Sequence, residues 1–373
     1  MTSCIAFYLP QYHPIPENDY WWGKGFTEWR NVTQAKPLYP GHYQPHLATD
    51  LGYYDLRVPE VREQQANLAR QYGISGFCYY HYWFSGKQLL ERPTLDVLRS
   101  GEPDFPFCLC WANENWTRRW DGRDDEVLIE AQYSDTDDVE HFSSLLPFFR
   151  DSRYICIDQK PLFLVYRASE LPNPLQTTQT WRELAIQNGL PGLYLVKVES
   201  SPSERSREPM LDGFDSALDF QPDWSVLKNS KKPSFFSRIF NKLGLSKHDV
   251  FANNRIFSYS DVVNTMLSRN PVAYPRYPCV TPSWDNSARR RNGGATILHD
   301  STPSIYAYWL RTVLLDHDLF AKVPERIVFI NAWNEWAEGS HLEPDAKWGH
   351  QYLEKTRDVL LKNSIEQADV STQ

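Results

Sequence analysis

The sequence predicts an α/β fold, a closed (β/α)8 TIM barrel, and three observations lead to it. Eight short apolar or β-branched runs recur along the chain, most of them followed by a helix-compatible stretch. Strands alternating with helices form parallel βαβ units, and eight such units in one chain point to closure rather than to an open doubly wound sheet. No glycine-rich phosphate loop follows the first run, which removes the main sign of a dinucleotide fold. Five of the runs also end, on their C-terminal side, in aromatic and polar residues, and a barrel gathers those ends on the face that carries its active site.

The runs are Ile5–Leu9, Gly76–Tyr80, Phe107–Trp111, Leu162–Tyr166, Tyr194–Val198, Ser216–Phe220, Cys279–Pro282 and Ile327–Ala332. Among the segments between them, Pro59–Tyr72 places Val61, Leu68 and Tyr72 near a helical repeat, and Gly73 stands where a C-cap glycine belongs. Ser304–Leu315 is apolar along one side, and Pro324-Glu325-Arg326 leads into the last strand. Asp135-Thr136-Asp137-Asp138 reads as the N-terminal turn of a helix rather than as a metal site, because no apolar strand precedes it.

Two insertions depart from a minimal barrel. Residues 14–58 form a long Pro- and aromatic-rich loop after the first strand, expected to cover part of the cleft. Residues 223–258, after the sixth strand, carry Ser, Lys and Asn clusters and then Phe235 to Leu245. This segment reads as a surface excursion with a short amphipathic helix; membrane-surface contact through 228–247 is the sharper alternative. The expected organisation is one catalytic domain over 1–363, followed by a disordered polar tail over 364–373.

Composition excludes several classes of function. A net charge of −8 leaves no general attraction for phosphate backbones, so no nucleic-acid partner is expected. The six cysteines sit mostly in strand-like runs without the second matching pair that a zinc site usually offers, so they are expected to be free thiols in a reducing compartment. The opening residues carry no basic n-region and no apolar stretch is long enough to span a bilayer, which predicts a cytoplasmic protein. The informative excess is aromatic: 14 Trp, 21 Tyr and 19 Phe, many beside polar residues. Flat C–H faces of pyranose rings pack on such side chains while the hydroxyls bond to Asn, Asp, Glu and His, so a carbohydrate partner is expected.

The chemistry is expected in Asn334-Glu335-Trp336-Ala337-Glu338-Gly339. Glycosyl transfer and hydrolysis typically need two carboxyl groups at the anomeric carbon, one protonated and one ionised. Glu335 and Glu338 would point to opposite faces of an extended chain. They converge only if the chain turns helical after the strand, where i and i+3 neighbours approach to roughly 5–6 Å. Trp333 and Trp336 would lower the local dielectric and raise a carboxyl pKa toward that of a general acid. A pair of first-turn acids complementing a helix N-terminus is the alternative, and the tryptophans and the position after the last strand favour catalysis.

Further candidates come from the other strand ends. Tyr8, His13, Tyr80, His81, Trp83, Trp111 and Asn113 are expected to line the sugar site, or else to pack the barrel top. Glu114 is expected to bond sugar hydroxyls or to act as a second acid, unless it pairs with Arg118 or Arg119. Glu28 and Trp29 in the first loop suit a lid contact, and Trp284, Asp285, Asn334 and Trp336 complete the expected substrate contacts. No metal ligands or cofactor are expected.

The motifs Ala6-Phe7-Tyr8-Leu9-Pro10-Gln11-Tyr12-His13, Trp21-Trp22-Gly23-Lys24-Gly25-Phe26-Thr27-Glu28-Trp29, Pro45-His46, Asp50-Leu51-Gly52-Tyr53-Tyr54-Asp55 and Trp111-Ala112-Asn113-Glu114 resemble the WbsX family over nearly the whole chain. Members of that family are found in bacterial polysaccharide loci and are often labelled glycosyltransferases. The segment Trp333–Gly339 is also similar to the Asn-Glu-Trp-x-Glu-Gly motif of glycoside hydrolase family 99. That second resemblance implies a metal-independent, retaining endo-α-mannosidase-like barrel in which the substrate's own 2-hydroxyl is the nucleophile, through a 1,2-anhydro sugar. Carried over by motif, Glu335 takes the 2-hydroxyl proton and Glu338 protonates the leaving oxygen, then activates water or an acceptor. Ala337 replaces the His often found between the two, so the contact made there does not carry over.

Three functions fit these residues. The first is a retaining glycoside hydrolase or transglycosylase acting on α-mannose- or α-rhamnose-containing bacterial glycans. The second is a nucleotide-sugar-dependent glycosyltransferase of O-antigen or capsule biosynthesis, and the third is a non-catalytic glycan-binding barrel.

Overall fold

A computed structural model describes residues 2–118, 123–227, 250–290 and 293–371 of the chain. Its centre is a closed barrel of eight parallel strands. They are β1 (Ser3–Tyr8), β2 (Gly76–Phe84), β3 (Phe107–Trp111), β4 (Lys160–Val165), β5 (Tyr194–Val198), β6 (Ser216–Asp219), β7 (Arg276–Val280) and β8 (Ile327–Ile330). Each strand pairs with the next in sequence, and β8 pairs back onto β1, with Ser3 opposite Ile327 and Ala6 opposite Ile330. The expected barrel is therefore the observed one, and the boundaries shift by a few residues at most strand ends.

The strands read as near-continuous apolar runs because both of their faces are buried. Inward, Phe7 meets Tyr80 at 5.4 Å, Phe220 at 5.3 Å and Phe329 at 5.9 Å between ring centroids. Outward, Tyr8 meets Phe77 and Tyr79 and donates its hydroxyl to Gln65 of the first surrounding helix. All six cysteines are free, five are buried, and Cys156 is exposed.

The surrounding helices are α1 (Pro59–Gln71), α2 (Arg92–Ser100), α3 (Asp135–Phe149), α4 (Pro174–Gln187), α5 (Tyr259–Leu267), α6 (Pro303–Leu315) and α7 (Gln351–Ser371). Side chains cap three of them: Ser134 accepts from the Asp137 amide, Asn173 from Gln176, and Thr302 from Ile305. Asp135, Asp137 and Asp138 occupy the first turn of α3, as the sequence suggested. Gly73 follows α1 with φ +83°, a left-handed conformation for which glycine carries no Cβ penalty. Residues 364–371, expected as a tail, continue α7. That stretch has no proline or glycine to end the helix, and the preceding turns are anchored by buried Tyr352, Leu353, Thr356 and Leu360.

The loop after β1 carries two short helices, Pro16–Trp22 and Trp29–Gln34, and arches over the C-terminal end of the barrel. After β6, the segment 228–247 considered for membrane contact falls outside the described residues. Beyond it, Arg255–Ser258 pairs in parallel with Thr296–His299. Among the described residues no helix is long and apolar enough to cross a membrane.

Candidate active site

The expected catalytic pair sits in a tight hairpin just beyond β8. Asn334 and Glu335 pair antiparallel with His341 and Ser340, and Trp336–Glu338 forms one 3₁₀ turn between them. In that tighter helix side chains three apart eclipse, which brings Glu335 and Glu338 to the same side. Gly339 closes the turn at φ +59°, where a Cβ would lie 3.0 Å from Cβ of Asp285 and 3.1 Å from its amide nitrogen. The Asp285 amide in turn donates to the Glu338 carbonyl at 2.6 Å, tying the loop after β7 to the hairpin.

Both glutamates open into a cleft of about 390 Å³ at the C-terminal end of the barrel. Its walls are largely aromatic: Trp22, Tyr80, Tyr82, Trp116, Tyr166, Phe220, Trp224 and Trp284. Gln11, Asn18, Glu114, Arg167, Arg289 and Arg290 add polar groups.

Arg289 organises the floor. Its Nε donates to Glu28 at 3.1 Å, Nη1 to Glu338 at 2.5 Å and Nη2 to Glu335 at 3.1 Å. One guanidinium thus spreads its donor fork over three carboxylates, a geometry that lysine cannot reproduce. Burial first, and the neighbouring Glu338 carboxylate second, push the Glu335 carboxyl up to about 8, although Arg289 pulls the other way. A carboxyl pair sharing one cation in this manner titrates as a unit.

The other expected residues divide by the direction in which they point. Tyr80, Glu114 and Trp284 line the cleft with the two glutamates, and the Trp284 indole N–H is buried without a hydrogen-bond partner among the described residues. Glu114 does form an ion pair, with Arg167 at the end of β4 at 2.5 Å; Arg119 and the Arg118 side chain lie outside the described residues. Glu28 reaches the site through Arg289 rather than by facing the cleft.

The rest point away from it. Tyr8, His81, Trp83 and Trp111 face the helices, with the Trp83 indole donating to Asp137 at 2.9 Å and His81 meeting His141 at 3.0 Å. Asn113 and Asn334 are buried ties: Asn113 bonds the Arg167 backbone, and Asn334 bonds both backbone groups of Leu9. Trp29 packs on Tyr12 and Trp336, and Trp336 donates its indole N–H to buried Glu343. Asp285 is held by His42 and Gln44 on the far side of the hairpin. His13 is buried, and burial lowers its pKa to about 4. These placements follow from the pleat: neighbouring residues along a strand face opposite sides, so a continuous polar–aromatic run cannot all face the cleft.

Sequence reasoning missed Gln11, Tyr82, Trp116, Tyr166, Phe220, Trp224 and Arg289. Tyr82 and Tyr166 were recoverable, the first by counting two on from Tyr80 and the second as the last residue of an expected strand. Arg289 carried no local signal, because its three partners lie 46, 49 and 261 residues away.

Comparison with known proteins bears on the family and the fold. The family model described as Glycosyltransferase WbsX matches residues 4–356. Two proteins from Xanthomonas campestris pv. campestris, strains B100 and ATCC 33913, each named uncharacterized protein WxcX, are 44% identical over 361 residues, 97% of this chain. The chain spans about half of their length, 50% in each. Among solved structures, a GH99 endo-α-mannosidase from Bacteroides thetaiotaomicron matches with a TM-score of 0.57 at 13% identity, covering 98% of both chains. A glycoside hydrolase-like protein matches with a TM-score of 0.55 at 14% identity, covering 96% of this chain and 93% of its own. At such identity these two matches establish the shared barrel fold.

Proposed function

The chain belongs to the WbsX family, and from that premise we propose that it is a carbohydrate-active enzyme: a retaining glycoside hydrolase or transglycosylase acting on α-mannose- or α-rhamnose-containing glycans. One observation carries the proposal. Two glutamates three residues apart converge across Arg289 on the floor of an aromatic cleft at the C-terminal end of the barrel. The volume falls within the range of small-ligand sites, roughly 300–1,000 Å³, and the ring faces with interspersed donors suit pyranosides.

In the proposed reaction Glu335 accepts the proton of the sugar 2-hydroxyl as that oxygen closes on the anomeric carbon. Glu338 donates a proton to the departing glycosidic oxygen, then removes one from the water or sugar hydroxyl that opens the 1,2-anhydro ring while Glu335 returns its proton to the 2-oxygen. The chemistry needs a 2-hydroxyl trans to the leaving group, which α-manno and α-rhamno sugars supply. Each half-reaction uses the pair carrying a single proton, which must lie on Glu338, with Glu335 ionised, when the first begins. The raised affinity of Glu335 makes it the stronger base once ionised, and the Arg289 contact keeps that ionised form accessible.

Incubating the wild type and Glu338→Gln with α-mannoside and α-rhamnoside oligosaccharides tests the reading. Cleavage or transglycosylation by the wild type, reduced about 10²–10⁴-fold in the variant, is expected for loss of a general acid–base group. Turnover confined to nucleotide-sugar donors would sink it, and tight glycan binding without turnover would favour a binding barrel.

A further inference from the structure

Behind the catalytic hairpin lies a second cavity of about 60 Å³. Among the described residues, Trp284 is the side chain that lines both this cavity and the cleft, so the two are separate sites. Its lining includes His46 from the loop after β1 and His341 and Asp345 from the chain just past the hairpin, all three buried. One donor atom from each, imidazole nitrogen or carboxylate oxygen, falls within 4.8 Å of the others.

We propose that His46, His341 and Asp345 bind a divalent transition-metal ion, zinc being the first to test, which clasps the long first loop to the catalytic hairpin. His341 turns Nδ1 to the Glu343 carbonyl at 2.9 Å. An imidazole bonded in that way carries its proton on Nδ1 and leaves the Nε2 lone pair free, the tautomer selected around metal-bound histidines. That Nε2 stands 2.8 Å from Nδ1 of His46 and 3.8 Å from Oδ2 of Asp345. Around a tetrahedral zinc with bonds of about 2.0–2.1 Å, ligand atoms sit about 3.3 Å apart, so the observed separations bracket the required one.

The remaining contacts fit a built site. Asp345 fixes its carboxylate by accepting from the Lys347 and Trp348 amides through Oδ1, leaving Oδ2 toward the histidines. Trp336 stacks on His341 with centroids 3.8 Å apart, and Tyr43 stacks on His46 at 4.3 Å. A direct hydrogen bond between the two imidazoles would satisfy two nitrogens and leave Oδ2 beyond bonding distance from His341. A cation among the three serves all of them, since a buried carboxyl beside two neutral rings gains from positive charge. The adjoining cavity has room for a water as fourth ligand. Sequence spacing could not show this, because His46 and His341 are 295 residues apart.

The proposal is independent of the reaction assigned to the cleft, and so is its test. The purified chain is stripped with dipicolinate, titrated with Zn²⁺ alone, and assayed for bound metal by mass spectrometry and for thermal stability. One zinc per chain is expected, with the stripped protein melting lower and recovering on titration. His46→Ala and Asp345→Asn should each weaken zinc binding by at least about 100-fold, since even outer-sphere changes cost 10–100-fold. X-ray absorption of the zinc-loaded wild type should show two imidazoles and no sulfur, a readout that holds if a variant fails to fold. Absence of bound zinc and of any melting shift in the wild type overturns the proposal, as does a zinc shell lacking imidazole or binding unchanged in both variants.

Discussion

The two faces of β2 share one composition and do different work. Tyr80 and Tyr82 turn inward and line the cleft, while His81 and Trp83, between and beside them, turn outward onto α3. His141 lies under that outer face, stacked against both His81 and Trp83 with ring planes within 10°. A run of tyrosine, histidine and tryptophan at a strand end is thus two interleaved populations, one available to a ligand and one spent on packing. The pleat assigns each residue to its population. Residues of the inner population should move catalysis, and residues of the outer one should move stability.

Arg289 tests that division most severely, because on the inner side it bears both loads. Arg289→Met leaves Glu28, Glu335 and Glu338 without their shared cation. Removing one partner of a buried ion pair costs about 3–5 kcal/mol, so a large drop in the urea midpoint and loss of turnover should appear together. Retention of full stability would show that the three carboxyls are solvated or protonated in a way that the geometry does not suggest.

Glu335 links the inner face to pH. Its carboxyl is raised from 4.5 to about 8, so across that window the folded chain holds a proton that the unfolded chain has released. Stability therefore falls as pH rises through the window, by up to about 1.4 kcal/mol per unit, and Glu335→Gln should flatten the decline. If the singly protonated pair is the active form, kcat/KM falls about tenfold per pH unit above the upper pKa, near 8. A profile that is level to pH 10 would separate Glu335 from the chemistry.

On the outer face, Trp83→Phe keeps an aromatic ring but trims the buried indole to a phenyl and removes the N–H that bonds Asp137 at 2.9 Å. The lost hydrogen bond and the space left by the smaller ring together cost about 1–3 kcal/mol, visible as a lower urea midpoint with kcat/KM unchanged. A change in kcat/KM without one in stability would place Trp83 in the wrong population.

The same pleat explains how much of the molecule was legible beforehand. The eight strands could be read because burial on both faces writes each one as an unbroken apolar run. Glu335 and Glu338 could be read because one short turn carries both, and the 3₁₀ geometry that aligns them needs only the local Gly339. Facing could not be read, since it depends on where each strand leaves the barrel: Trp336, Asp285 and Asn334 were expected at the substrate and are instead turned into the support behind it. Sites assembled from distant loops left no sequence pattern at all, and Arg289 and the His46–His341–Asp345 cluster are both of that kind.

The smallest expected effect gives the sharpest comparison, because Tyr82 is one residue from Trp83 and points the opposite way. Its hydroxyl accepts from Gln11 Nε2 at 2.9 Å at the cleft wall, and its ring meets Trp116 edge-on at 5.3 Å. Tyr82→Phe keeps the ring contact and frees the Gln11 amide to turn toward solvent, so stability should change by less than about 1 kcal/mol. A substrate hydroxyl bound through Gln11 or Tyr82 would lose part of its positioning, and KM should rise about 3–10-fold, the weight of one neutral hydrogen bond. The crossed result, stability lost in Tyr82→Phe and affinity lost in Trp83→Phe, would reverse the assignment of faces. Trp83→Phe also trims a buried ring, which adds to its stability cost but not to any loss of affinity, so the crossed result would run against packing as well as against the assignment.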